Sequence, residues 1–333
     1  MNISRTLPLS VLATGAFLSA SLPLQAQQSM NLANEYPASS IHATTADFFA
    51  ERVEELTNGE IEITNHHGGA LGYKSLEQFD AVGDGALELA SSSLVFWTGI
   101  DPLFQLPSLP FIAPTAADTK ALYEAVMPTY KEKMADYGQI LLVATPWPSS
   151  GLWGHSALDS KEALDGLKVR TYDVSSTETM RNAGAFPVQI GWADVPAQLS
   201  TNAIDSVLTS ADGGVGIQMW EQLDHFTVVN YAMPMQAIHM NADVFDALDE
   251  DEQNAILEAA AEAEAKGWKL LETRSQDNFA TMREHGMTVV EEVPAEFSEF
   301  LTASAQPFID EWLESVGDEG RAILDAYEAA REK

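Results

Sequence analysis

Segments of helical and of strand-like hydrophobic spacing alternate along most of this chain, and this alternation limits the possible fold more than any other feature. Apolar residues recur at three- and four-residue intervals in the predicted helices, and at alternate positions or in short runs in the predicted strands. The predicted helices cover 43–56, 75–82, 120–137, 175–183 and 193–201, and the predicted strands cover 30–34, 61–63, 86–91, 140–144, 168–171, 188–190 and 206–209. Such alternation is typical of the α/β class, with parallel sheets covered by helices on both faces.

The last third of the chain differs, because its spacing predicts helices alone. Asp249 followed by Glu252 is a helix-start pattern, and the helical spacing then continues to about His285, with Gly267 as its one weak point. A helix of about 36 residues would be about 54 Å long, which is more than the width of one lobe. We therefore expect this helix to run from one lobe to another, followed by helices at 295–313 and 318–332.

The first 26 residues have the order of features of a secretory signal peptide. Arg5 is followed by a mostly apolar stretch, and the segment ends at the small residue Ala26. Pro8 and Pro23 interrupt the apolar stretch, which is too short for the ~20 residues of a membrane-spanning helix. We predict cleavage after Ala26 and export to the periplasm. Removing 26 of 333 residues leaves 307, enough for two lobes.

Composition excludes several classes of function. With 17 Lys and Arg against 50 Asp and Glu, the net charge of −33 disfavours binding to nucleic acid or to anionic lipid and suits high external salt. The chain has no cysteine, so thiol nucleophiles and thiolate metal sites are excluded. Neither a glycine-rich phosphate loop nor a G-x-S-x-G elbow is present, and the adjacent His66 and His67 would face opposite ways on a strand. We expect no enzymatic activity, no cofactor and no metal.

Several ordered segments resemble one family, and together they cover essentially all of the chain after residue 26. They are Gly59–Ile63 with Gly68–Gly72, the proline-containing Leu106–Ile112, and the run Asp165–Arg170, Ala183–Val188, Trp192–Val195 and Ala203–Asp205. These resemble the "GxIxV…GGxLG", "LDLPFLF" and "LKGLKIR…LGANPV…EVYTALQTGVVDG" stretches of the DctP-type solute-binding proteins of TRAP (tripartite ATP-independent periplasmic) transporters.

The resemblance implies a two-lobed fold like that of periplasmic binding proteins, with a ligand cleft between the lobes and a long helix spanning both. We expect lobe I to comprise 27–150 plus about 238–275, and lobe II 151–237 plus about 276–333. It further implies capture of a small solute and its delivery to TRAP membrane permease subunits. We expect a monomer without stable membrane insertion, because no segment after residue 26 is apolar enough to span a bilayer. A sensor-type binding protein, which presents its ligand to a membrane receptor, is the alternative class.

Arg170 falls on the arginine with which this family clamps a substrate carboxylate. Two departures weaken the case for such a substrate: Gly151–Gly154 stands where many relatives have a second ligand-facing arginine, and Asp205–Thr209 stands where they have a ligand-contacting asparagine. The other expected ligand-binding residues are aromatic, acidic or hydroxylated: Trp153, Trp192, Tyr172, Trp147, Trp97, Glu35, Tyr36, Asp173, Thr209 and Asp212.

Aromatic faces combined with carboxylates suit an ammonium group through cation–π and ionic contacts. By a small margin the side chains favour a small amine or amino alcohol, such as ethanolamine. The alternative ligand is a small carboxylate or sugar acid clamped by Arg170, because the planar guanidinium binds carboxylates bidentately.

Overall fold

The computed structural model describes residues 27–331, so the predicted signal peptide lies outside the described residues. The strands are β1 (Gln28–Asn34), β2 (Ile61–His66), β3 (Leu89–Ser93), β4 (Gln139–Pro146), β5 (Ser150–Gly154), β6 (Lys168–Thr171), β7 (Phe186–Gln189), β8 (Ser206–Ser210), β9 (His225–Thr227), β10 (Met235–Asn241) and β11 (Thr288–Val290). They form a five-stranded sheet of order β2-β1-β3-β10-β4 and a six-stranded sheet of order β11-β9-β5-β8-β6-β7. The mixed α/β class and the two lobes expected from the sequence are therefore confirmed.

Helices connect and cover the two sheets. They are α1 (Ile41–Leu56), α2 (Ser75–Gly83), α3 (Ala116–Asp136), α4 (Lys161–Leu164), α5 (Val174–Asn182), α6 (Val195–Ser200), α7 (Ala211–Gly216), α8 (Ala242–Asp246), α9 (Glu250–Glu284) and α10 (Ala295–Arg331), with short 3-10 helices at Leu94–Trp97, Pro102–Ser108, Trp192–Asp194 and Met219–Glu221. Each helix predicted from the spacing is present. The last two predicted helices are joined in α10, where Gly317, at φ 57°, breaks the helical conformation between them.

The sheets are mixed, so the expectation of purely parallel sheets is wrong for two strands. In the first sheet β10 runs antiparallel to β3 and β4, and in the second β5 runs antiparallel to β8 and β9. Both strands enter their sheet directly from the other sheet rather than through a covering helix. The chain leaves the first sheet at the end of β4 for β5, and it returns from β9 to β10.

The two crossing segments pair with each other between the lobes. The Trp147 amide donates to the Pro234 carbonyl at 2.9 Å, the Ser150 amide donates to the Ala232 carbonyl at 2.9 Å, and the Tyr231 amide donates to the Ser150 carbonyl at 3.0 Å. A short two-stranded connection of this kind is where a hinge between two rigid lobes is expected.

The long helix α9 also connects the lobes. Asp249 and Glu252 cap it reciprocally, as their spacing predicts. Its first part packs against α1 and β4 of the first lobe, and its last part packs against α7 and β11 of the second. Gly267 allows close packing, because a Cβ there would lie 2.5 Å from Thr145 Cγ2.

The predicted lobe limits remain a prediction, and two features bear on them. Strand β10 begins at Met235, slightly before the expected limit at 238. Helix α10 was assigned to lobe II, yet its side chains Trp312, Ile323 and Tyr327 pack in a core cluster with residues of the first lobe. No helix within 27–331 is both long enough and apolar enough to cross a membrane.

Candidate ligand-binding site

A cavity lies between the two sheets, where the carboxyl ends of β1, β3 and β4 face those of β6 and β8. Ligand sites of open α/β sheets lie at such ends. The first lobe and the crossing segments contribute Tyr36, Ser93, Val95, Phe96, Trp147 and Pro234; the second lobe contributes Ser150, Arg170, Tyr172, Trp192, Thr209, Ser210 and Gly213. The space between these residues is about 450 Å³, and this value includes space that is open to solvent.

Arg170 lies in β6 at the wall of the cavity and is only 2% exposed. Its Nε donates to the Ile190 carbonyl at 2.9 Å, and its Nη1 donates to the Leu208 carbonyl at 3.3 Å. A guanidinium group has five N–H donors, so three remain for other acceptors. The guanidinium carbon also lies 5.8 Å from the ring centre of Tyr172 and 5.6 Å from that of Trp192.

The charge of Arg170 has no direct partner among the described residues, where no carboxylate forms an ion pair with it. Burial lowers the pKa of Arg170 to about 10, so the group remains protonated at neutral pH. Asp173 and Glu35 lie near enough to favour the charged form, but neither bonds to it. Since a buried charge is costly without a paired ion, an anion in the cavity would find a strong partner here.

Aromatic rings form much of the remaining wall. Tyr36 and Trp147 meet edge to face with ring centres 4.6 Å apart, and Trp147 Nε1 donates to Gln236 Oε1 at 3.1 Å. Trp192 lies so near α7 that a Cβ at Gly213 would be 3.2 Å from its ring and 2.9 Å from the Thr209 hydroxyl. The site therefore offers ring faces and hydroxyl groups around one guanidinium.

The three acids expected at the site do not line the cavity. The Glu35 carboxylate accepts the Ser75 amide at 2.7 Å, and burial raises the pKa of Glu35. Asp173 caps α5 and accepts Gln105 Nε2 at 2.6 Å, and burial also raises its pKa. Asp212 pairs with Arg274. None of these carboxylates is placed to receive an ammonium group in the cavity.

Two of the expected tryptophans lie in the cores of the lobes. Trp97 donates to the Ser75 carbonyl at 2.9 Å and packs in the core of the first lobe. Trp153 packs against Phe226, with ring centres 4.9 Å apart, and covers Gly214. Trp97 ends a 3-10 helix and Trp153 lies on strand β5, and sequence spacing does not distinguish such buried aromatic positions from positions in a cleft.

The structure thus brings six of the eleven expected residues to the cavity: Arg170, Trp192, Tyr172, Trp147, Tyr36 and Thr209. It does not bring Trp153, Trp97, Glu35, Asp173 or Asp212 there. Sequence reasoning missed the lining residues Ser93, Val95, Phe96, Ser150, Ser210, Gly213 and Pro234. The sequence held one signal for Gly213, the adjacent glycines Gly213 and Gly214, because glycine is common where another group approaches the backbone closely.

Comparisons with known proteins agree with this geometry. A family model described as bacterial extracellular solute-binding protein, family 7 (DctP), matches residues 32–315. The structure is similar to DctP6 of Bordetella pertussis, an extracytoplasmic solute receptor binding pyroglutamic acid, at TM-score 0.87 and 30% identity over 91% of this chain and 100% of that one.

Curated relatives resemble the chain over most of their length. The ectoine/5-hydroxyectoine-binding periplasmic protein UehA of Ruegeria pomeroyi is 23% identical, over 96% of this chain and 95% of the relative. The C4-dicarboxylate-binding periplasmic protein DctP of Rhodobacter capsulatus is 25% identical, over 84% of this chain and 85% of the relative. The chain therefore belongs to family 7 of the bacterial extracellular solute-binding proteins, the DctP family, and is a periplasmic solute-binding subunit that delivers a small ligand to the membrane permease of a TRAP transporter.

Proposed function

We propose that this subunit binds a small cyclic monocarboxylate of the pyroglutamate type, whose carboxylate is held by Arg170. The observation that carries the proposal is the buried guanidinium itself, which keeps three N–H donors beyond its two backbone bonds and has no carboxylate partner within residues 27–331. A ligand carboxylate would accept from these donors bidentately and compensate the buried charge.

The lining favours one carboxylate over two. Arg170 is the one basic residue among those that line the cavity in the described part of the chain. A C4-dicarboxylate would bury its second charge without a cation, because Gly151–Gly154 supplies no arginine at the position where many relatives have one.

The aromatic wall favours a ring. Trp147, Trp192 and Tyr172 line the cavity and offer ring faces, while Thr209 and Ser93 offer hydroxyls that could accept from a ring N–H. Pyroglutamic acid and ectoine, which the DctP6 and UehA names specify for those proteins, are both nitrogen-containing rings with one carboxylate.

The preference for ethanolamine loses its physical basis with this placement of side chains. An ammonium group in the cavity would face Arg170, while Asp173 and Asp212, two of the acids expected at the site, are bonded elsewhere. The ammonium group and the guanidinium group of Arg170 are both positively charged and would repel each other in the cavity.

Thermal unfolding with matched ligands tests the proposal. L-Pyroglutamate, its uncharged amide, succinate and ethanolamine would be compared at equal ionic strength, because the surface of this acidic protein is sensitive to salt. A ligand at 100 times its Kd stabilises the folded protein by about 2.7 kcal/mol. We expect pyroglutamate alone to raise Tm clearly. A rise with ethanolamine or with the amide, and none with pyroglutamate, would contradict the proposal.

A further inference from the structure

Asp212 is a fully buried carboxylate of the second lobe that is bonded by groups from two other helices. Its side chain is 0% exposed, and it pairs with Arg274 Nε. Its Oδ2 accepts the Ile41 amide at 3.1 Å, and its Oδ1 lies 3.4 Å from Asn278 Nδ2. Because a buried carboxylate is costly unless its lone pairs are satisfied, these donors stabilise the arrangement that brings them together.

The bond to Ile41 crosses between the lobes. Ile41 is the first residue of α1, a helix of 16 residues in the first lobe, whose amino end favours a negative charge. Arg274 bonds a second group of the first lobe, the Ser39 carbonyl, while it holds Asp212. Arg274 lies close to the expected limit between the lobes in α9 and bonds one group of each lobe, so opening of the lobes would break the Asp212–Ile41 bond together with one of the two bonds of Arg274.

A second crossing contact lies at Asp173, the other acid that the sequence pattern placed in the cleft. Its Oδ2 accepts Gln105 Nε2 from the first lobe at 2.6 Å, and the neighbouring Ser175 hydroxyl donates to the Ser108 carbonyl at 3.2 Å. The two acids thus bond across the lobe interface instead of lining the cavity.

We propose that Asp212 is a positioning residue for lobe closure, which stabilises the closed form through Ile41 and Arg274 without touching the solute. A ligand bound in the closed cavity has an apparent Kd that rises as the closed fraction falls. Asp212 therefore contributes to affinity through the conformational equilibrium, whatever solute the cavity takes.

Disulfide trapping tests this without any ligand, because the chain has no cysteine of its own. A Cβ at Gly216 would lie 3.8 Å from Ser39 Oγ, so the pair Ser39→Cys and Gly216→Cys can join only in the closed form. Under a fixed concentration of oxidant, the rate of disulfide formation reports the closed fraction. Alkylation of each single-cysteine variant would verify equal thiol reactivity.

We expect Asp212→Asn to slow trapping about tenfold, as the loss of a charged hydrogen-bond acceptor implies, and Arg274→Gln to slow it similarly. The control is Asp194→Asn. Asp194 also contacts the other lobe, through Lys74 at 3.7 Å, but its side chain is 57% exposed, so we expect a rate within about twofold of the parent.

Equal trapping rates in the parent, Asp212→Asn and Arg274→Gln would overturn the proposal, as would an equal slowing by Asp194→Asn. Thermal unfolding of the reduced proteins would establish that each variant is folded. If Asp212→Asn is unfolded, the trapping rate of Arg274→Gln tests the proposal instead. The test uses no solute, so its result is separate from the success or failure of the pyroglutamate proposal.

Discussion

Replacing Arg170 with glutamine is the most informative perturbation of the proposed site. Arg170 uses two donors on the backbone carbonyls of Ile190 and Leu208, and its other three can reach a carboxylate. A hydrogen bond to a charged group contributes about 1.5–3 kcal/mol, and truncating one partner of a buried charge pair costs about 2–5 kcal/mol. For two such bonds we expect a loss of about 3–5 kcal/mol, or a Kd raised ~10²–10⁴-fold.

Isothermal titration calorimetry with L-pyroglutamate measures this change. Arg181→Gln is the matched control, because Arg181 lies on α5 with its side chain 52% exposed and, within residues 27–331, pairs only with Glu178 on its own helix. We expect its Kd to equal that of the parent. Thermal unfolding without ligand should show that Arg170→Gln is folded. The variant loses two hydrogen bonds to backbone carbonyls, but it no longer has to bury a charge, and the two effects oppose each other.

The uncharged amide of pyroglutamate separates a carboxylate contact from a general loss of the site. The amide should bind the parent and Arg170→Gln with nearly the same weak affinity. If pyroglutamate binds Arg170→Gln within tenfold of the parent, or if amide and acid lose affinity equally, Arg170 is not the carboxylate partner.

Three other substitutions test the core, the pH dependence and the cavity wall. Gly214→Ala would place a Cβ 2.0 Å from Trp153 Cζ2, so in urea unfolding it should lower the free energy of unfolding by about 1–3 kcal/mol. Gly216→Ala should not, because its Cβ would lie 3.6 Å from the nearest atom, Pro37 Cγ, and equal effects of the two variants would refute the contact with Trp153. Burial lowers the pKa of His239 to about 3, so the folded protein stays unprotonated there while the unfolded chain takes up a proton below about 6.5. Wild-type stability relative to His239→Gln should therefore fall by about 1.4 kcal/mol per pH unit from pH 6 to 4, and a flat difference in urea unfolding would contradict this. Trp192→Leu should raise the Kd for pyroglutamate by about tenfold in calorimetry through loss of a ring face, and an unchanged Kd would exclude that contact.

Regular local signals account for the parts of the fold that the sequence predicts. The α9 start at Asp249 and Glu252 follows from reciprocal capping, which involves neighbouring residues only. The break at Gly317 follows from its positive φ, a conformation that glycine adopts readily. The crossing strand β10 was missed because it is buried on both faces and has no alternation to detect.

The candidate site was harder to predict, since position in the chain does not tell whether a buried side chain faces a cavity or a core. Trp153 and Trp147 are six residues apart and belong to the same buried cluster, but only Trp147, on a crossing segment, also lines the cavity, while Trp153 lies in strand β5. For Asp212 the partners Ile41 and Arg274 are distant in sequence, so only the folded chain shows that its carboxylate is engaged.

A crystal structure of the protein crystallised with L-pyroglutamate would test most directly whether Arg170 holds the ligand carboxylate. We expect the ligand between the lobes, with its carboxylate oxygens about 2.7–2.9 Å from the guanidinium nitrogens of Arg170 and its ring against Trp147 or Trp192. A ligand whose carboxylate points away from Arg170, or one bound outside the cavity, would contradict the assignment.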